Sequence, residues 1–211
     1  NVVGLTTDAI GQITDVKIRA FETADLAVMT TAQIVAFTQS ALADSGGNGL
    51  TTAQLRSLGT TNARAIETID LAGLSSLQIG AFSSDQVRNL TTAQIDALTD
   101  SNIKGLDFSG LTTSQIRAIT ASDIAALSNT QVALLDGTLA DGFTSSQLSN
   151  IGAAQVRILS TAFIQSLDAS QVVGINSAYF GGGGLTTAQI VSLSTDAINA
   201  LTGEQLSALA G

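Results

Sequence analysis

Large apolar residues recur along this 211-residue chain with a spacing of eight. From Leu5 the sequence divides into the octads LTTDAIGQ, ITDVKIRA, FETADLAV, MTTAQIVA and FTQSALAD. After SGGNG it resumes at Leu50 and runs to LTDSNIKG, which ends at Gly105. LDFSG follows, and eight more octads run from Leu111 to Gly174. INSAYFGGGG holds one octad with two extra residues, and the last three octads begin at Leu185, Leu193 and Leu201. All 24 octads carry Leu, Ile, Phe or Met at position 1, and 22 carry a large apolar residue at position 6, with Ala63 and Ala140 the exceptions. Position 2 is Ser, Thr, Asp, Asn or Gly in 22, with Glu22 and Glu67 the exceptions; position 5 is Gln in 12; position 8 is mostly small.

One assignment accounts for all of these columns. With position 2 as a helix N-cap, position 5 becomes the third helical residue, and Thr-x-x-Gln is a capping box. Position 1 then precedes the cap and position 6 is the fourth helical residue, the two ends of a hydrophobic staple. Charge points to the same boundaries. Seven of the eight basic residues stand at position 7 (Arg19, Arg56, Arg64, Arg88, Lys104, Arg117, Arg157), and most acids lie at positions 2 to 5, among them Asp8, Asp15, Glu22, Asp70, Asp85 and Asp123. That arrangement complements a helix dipole within each octad.

The competing elements fail on geometry. In a continuous helix, eight residues carry the apolar stripe about 80° around the axis per repeat, so it faces no single core. Coiled coils repeat every seven or eleven residues. In a strand, positions 1 and 6 face opposite sides. The pattern therefore predicts an all-α fold: a solenoid of capped helices of about six residues, one per octad. Isolated helices under about 12–15 residues are marginal in water, so successive octads must stack, and small residues at position 8 allow close approach. From Leu111 the Gln at position 5 tends to alternate with other residues (Gln115, Asp123, Gln131, Leu139, Gln147), which predicts two helices per 16-residue coil. The whole chain, 1–211, reads as one elongated repeat domain with Gly-rich joints near 1–4, 45–49, 106–110 and 181–184. Each joint ends in Gly before Leu-Thr-Thr, and glycine allows a helix to end and the path to change. Joining the C-terminal ALAG to the N-terminal NVVG would make one more such joint, so the chain reads as part of a longer array or as abutting a copy of itself.

Composition narrows the chemistry. There is no Cys, His, Pro or Trp, so the usual ligands for zinc, iron and copper, disulfides and His-based acid–base catalysis are missing. The net charge of −9 opposes binding to nucleic acid or to an anionic membrane surface, and no apolar run reaches the length of a spanning helix. Carboxylates and hydroxyls fall in the helix-start columns, so no catalytic constellation stands out and no enzyme is expected. GGGG at 181–184 lacks the Gly-Lys-Ser/Thr of a phosphate loop. Two segments offer oxygen ligands for calcium beside flexible glycines: Asp44 with Asn48, and Asp136 with Asp141. Neither matches an EF-hand loop, and polar turn chemistry explains both. No other cofactor is expected.

Tandem LTTxQIxAL units resemble the octapeptide-like repeats of very long, repetitive bacterial proteins of the secreted or surface-exposed kind, many of them described as adhesins, haemagglutinins or haem-utilisation proteins. The resemblance spans nearly the whole chain and transfers no catalytic motif. It implies an extracellular, cell-surface structural role. The expected partners are copies of the chain itself, end to end or side by side in a filament, surface layer or adhesin stalk. The alternative is a binding module that offers one solenoid face to a glycan, a protein or ice.

Overall fold

A computed structural model describes residues 2–43 and 48–210. The chain is a helical repeat solenoid, and no strand occurs among the described residues. Its helices are four to seven residues long, with single 3₁₀ turns at Val2–Gly4, Ile103–Gly105, Phe108–Gly110 and Ser177–Tyr179. Two compact units form, Asn1–Gly110 and Leu111–Gly211. Their boundary falls at the end of the glycine joint 106–110.

The expected local chemistry is present. Thr91 Oγ1 accepts the Gln94 N–H at 3.1 Å, and Gln94 Oε1 accepts the Thr91 N–H at 2.8 Å. All twelve glutamines at position 5 receive the N–H of their cap residue in this way. Gly152, having no side chain, makes only that half of the box with Gln155.

Most helices turn into one another without left-handed residues; the exception among consecutive helices is Gly59, at φ 68° between Thr52–Ser57 and the helix it opens. Leu90 closes helix Ser84–Asn89 at φ −61°, ψ 146°, and Thr91 opens Thr92–Asp96 at φ −74°, ψ 159°. Two consecutive extended residues, positions 1 and 2, make the corner. Among the described residues only glycines take positive φ: Gly49, Gly59 and Gly183.

Each coil contains three helices, not the two that the alternating glutamines predict. In the first unit Thr92–Asp96 packs on Thr68–Gly73, that helix on Gln39–Leu42, and that on Asp15–Ile18. In the second, Thr195–Ala200 packs on Ala169–Val172, that on Ser145–Ser149, and that on Ala121–Ala126. Every step spans three octads, so a coil takes about 24 residues. The alternation is the sum of three independent columns. Gln115, Leu139, Phe163 and Gln189 belong to one, Asp123, Gln147, Gln171 and Ala197 to the next, and Gln131, Gln155, Tyr179 and Gln205 to the third. In the first of these the ladder is apolar midway: Phe163 is fully buried and meets Phe143 edge-on at 5.2 Å.

Positions 1 and 6 form the core of each unit. Ile95, Leu71 and Val87 are fully buried, and so are Ala63 and Ala140, the two small residues at position 6. The small residues at position 8 serve the close stacking that they suggest. A Cβ on Gly105 would lie 1.8 Å from the Ser76 carbonyl oxygen of the coil beneath, and one on Gly174 would lie 2.3 Å from that of Ser145.

Candidate functional site

The interface between successive coils holds the chemistry that the repeat spells. Glutamine at position 5 is buried, between 1% and 8% exposed throughout. Its Oε1 serves the capping box of its own helix, and that leaves two N–H groups on Nε2 in a place without water. Nε2 of Gln94 donates to the carbonyls of Ile66 at 2.7 Å and Arg64 at 3.1 Å. In the first unit Gln33 likewise reaches Val2 and Leu5, and Gln54 reaches Ile18 and Phe21. In the second, Gln147 reaches Ile116 and Ile119, Gln171 reaches Ala140 and Phe143, and Gln205 reaches Val172 and Ile175. Most acceptors are the carbonyls of positions 6 and 1 in the coil beneath, and Arg64 stands at position 7. There a short helix ends, and its last carbonyls lack the N–H groups that a further turn would supply. One side chain therefore satisfies the start of its own helix and the end of another.

Asn62 and Asn102 do the same with a shorter arm, Asn102 donating to Leu71 at 3.0 Å and Leu74 at 3.1 Å. The ladder also steps across the joint at 45–49. Gln78 donates to Leu42 on one side of it and to Leu50 on the other, both at 2.8 Å. The extra residues thus leave the stacking register intact.

Arginine at position 7 makes the opposite link, toward the coil above. Arg64 donates to the Asn89 carbonyl at 3.0 Å, Arg56 to Ala81 at 3.3 Å, Arg19 to Gly49 at 3.2 Å and Arg117 to Asp141 at 2.8 Å. The sequence pattern suggested that these cations complement their own helix dipoles. The hydrogen bonds of Arg56, Arg64 and Arg117 go to helix ends one coil further on, and that of Arg19 goes to the joint residue Gly49.

The calcium candidates fall in different places. Asp44 lies outside the described residues. Asn48 lies just before Gly49, which takes a positive φ. Asp136 caps helix Gly137–Ala140, its Oδ1 accepting the Thr138 hydroxyl at 2.6 Å and the Thr138 N–H at 2.9 Å. The Thr138 hydroxyl is the main reason that this carboxyl titrates below its usual range. Asp141 follows the other end of the same helix. Among the described residues no three His, Cys, Asp or Glu side chains gather as a metal would require.

The joint 106–110 is built into the stack as well. Phe108 is fully buried, the turn Phe108–Gly110 packs on helix Ser84–Asn89, and Asp107 Oδ2 accepts the Ser84 hydroxyl at 2.6 Å. A shallow hollow of about 510 Å³ lies beside Asp168, Ser194, Asp196 and Asn199. No helix among the described residues is long and apolar enough to cross a membrane.

Capped short helices, three to a coil and bonded coil to coil through side-chain amides, define a helical repeat protein. The ALTTAQ repeat family model matches residues 63–100 and 183–210, in agreement with the LTTxQ octads. A search of curated proteins finds no match.

Proposed function

We propose that this chain has a structural, non-catalytic role as a self-associating segment of a bacterial extracellular filament, surface layer or adhesin stalk. The observation that carries the reading is the use made of the motif's polar atoms. Thr91 and Gln94 spend their hydrogen bonds on capping and on the coil beneath, so the repeat specifies stacking. Association has a surface to use. Ile198 and Leu206 are 46% and 49% exposed, whereas their counterparts one coil earlier, Val172 and Phe180, are at most 2% exposed. Apolar residues of this kind are covered at every interior seam of the unit, and exposed clusters of them favour association.

Negative-stain microscopy and sedimentation of the purified chain at rising concentration test this. Ordered fibres or sheets are expected, and fewer of them with Ile198→Glu and Leu206→Glu together. A chain that stays monomeric at all concentrations overturns self-association.

One feature favours a second reading, a glycan-binding module. The hollow beside Asp168, Ser194, Asp196 and Asn199 offers hydroxyl, carboxylate and amide groups suited to sugar hydroxyls. Titration with a panel of oligosaccharides decides it, and heat released with the chain but not with Asn199→Ala supports binding there.

A further inference from the structure

Asp70 stands at the fifth position of the octad that begins at Ile66, between octads that carry Asn62 and Gln78 at the same position. It is 2% exposed. Its carboxylate accepts the Glu67 N–H, the bond that Gln94 Oε1 makes to Thr91. The remaining oxygen, Oδ2, is buried without a partner. In the amide residues this second atom is a nitrogen that donates to the coil beneath. Asn62 does so to Met29 and Gln78 to Leu42 and Leu50, on either side of Asp70 in the chain. Gln54 reaches residues 36 and 33 places earlier, and the same offsets lead from Asp70 to the carbonyls of Ile34 and Phe37. A carboxylate has no hydrogen to give a carbonyl, and a carboxylic acid has one.

We propose that Asp70 is an acid-operated latch in the seam between helix Thr68–Gly73 and the coil beneath. Protonated, it joins the amide ladder as a donor to a helix-end carbonyl. Ionised, it leaves a buried charge facing acceptors only. Among the described residues of the neighbouring helices no opposite charge compensates. Helix Gln39–Leu42 beneath has no ionisable residue, helix Thr92–Asp96 above has only Asp96, and the adjoining helix Gly59–Ala65 has only Arg64, whose guanidinium is bonded to the Asn89 carbonyl. On its own helix the neighbour is Glu67, another acid. Burial first, and the Glu67 carboxylate second, raise the Asp70 carboxyl to about 6 against the opposing Glu67 N–H. Because the folded value lies above the unfolded 3.8, the native state holds this proton more tightly. Its stabilising contribution is complete below about pH 4 and is lost as pH rises through about 6.

The test is urea unfolding of the full chain and of Asp70→Asn between pH 4.5 and 7.5, with ¹³C NMR of the aspartate carboxyl carbons. The wild-type folding constant should fall by about 25-fold relative to Asp70→Asn across this range. One carboxyl resonance should titrate near pH 6 and disappear in the variant, and Glu67→Gln should lower that midpoint. Parallel pH profiles for the two proteins, or an Asp70 midpoint at or below 4, overturn the latch. The NMR measurement on the wild-type chain decides the matter even if Asp70→Asn fails to fold.

Discussion

The side-chain amide of Gln94 donates to the carbonyl of Ile66, 28 residues earlier, at 2.7 Å. It does so while its oxygen holds the N–H of Thr91 at 2.8 Å. Both ends of the amide are needed, and they have different partners. The octad is thus a unit of vertical bonding as much as a helix signal, and its consequences can be measured residue by residue.

Replacing Gln94 separates the two ends. Gln94→Glu keeps the acceptor that completes the capping box and removes the donor. Gln94→Leu removes both at similar volume. If capping alone mattered, glutamate would serve, since capping boxes use Glu and Gln alike. Because the carbonyls beneath lose their donor in a buried seam, Gln94→Leu should cost about 1–3 kcal/mol and Gln94→Glu at pH 7 more than that. Urea unfolding midpoints check the order, and a Gln94→Glu protein as stable as wild type would remove the ladder's importance.

Gly105 tests how close the coils are. A methyl group there would meet the Ser76 carbonyl oxygen at 1.8 Å, backbone against backbone, with no flexible side chain to yield. Gly105→Ala should destabilise by about 1–3 kcal/mol, the usual range for overpacking. Gly203 is the matched control. It begins helix Gly203–Leu209, is exposed, and has open space where a methyl group would go, with nothing within 4 Å. Gly203→Ala should be neutral or stabilise by up to about 1 kcal/mol. Thermal unfolding of the two variants side by side reads the difference.

The helices were legible in the sequence because everything that makes them is local. Cap, box and staple lie within six residues, and Thr91, Gln94, Leu90 and Ile95 can be read from spacing alone. The number of helices per coil was not legible. It depends on the angle set by two extended corner residues such as Leu90 and Thr91, and on which carbonyl lies beneath each amide. The downward bonds of glutamine were also missed, although a signal was present. Position 5 holds Gln twelve times and Glu never. A solvent-facing box would admit either, so the choice of Gln over Glu in all twelve marks a buried site that needs a donor. The same reasoning makes Asp70, Asp123, Leu139 and Phe163 informative as departures.

Arg64 distinguishes two accounts of the basic column. A cation acting on its own helix dipole is screened by salt. A hydrogen bond to the Asn89 carbonyl at 3.0 Å is much less so. Arg64→Met, which keeps the aliphatic length, should cost about 0.5–1.5 kcal/mol, and the cost should persist in 1 M NaCl. A penalty that vanishes with salt would return the residue to the dipole role.

Asp107 should respond to pH with the opposite sign to Asp70. Partial burial alone would raise its carboxyl, but the Ser84 hydroxyl at 2.6 Å and the Ser109 hydroxyl and N–H at 2.7 and 3.0 Å outweigh that and hold it below 3.8. A folded value beneath the unfolded one means that the ionised form is favoured by folding. Its contribution is complete above about pH 4 and is lost as pH falls through the lowered folded value. Asp107→Asn keeps the size and loses the charge-assisted bonds, so it should destabilise at pH 6 by about 1–2 kcal/mol and by progressively less below pH 4. Unfolding from pH 6 down to pH 2.5 measures this, and Ser84→Ala should reproduce part of the loss, since it removes the bond that ties the joint to helix Ser84–Asn89. If Asp107→Asn is equally destabilised at pH 6 and pH 2.5, the joint is held by packing of Phe108 alone.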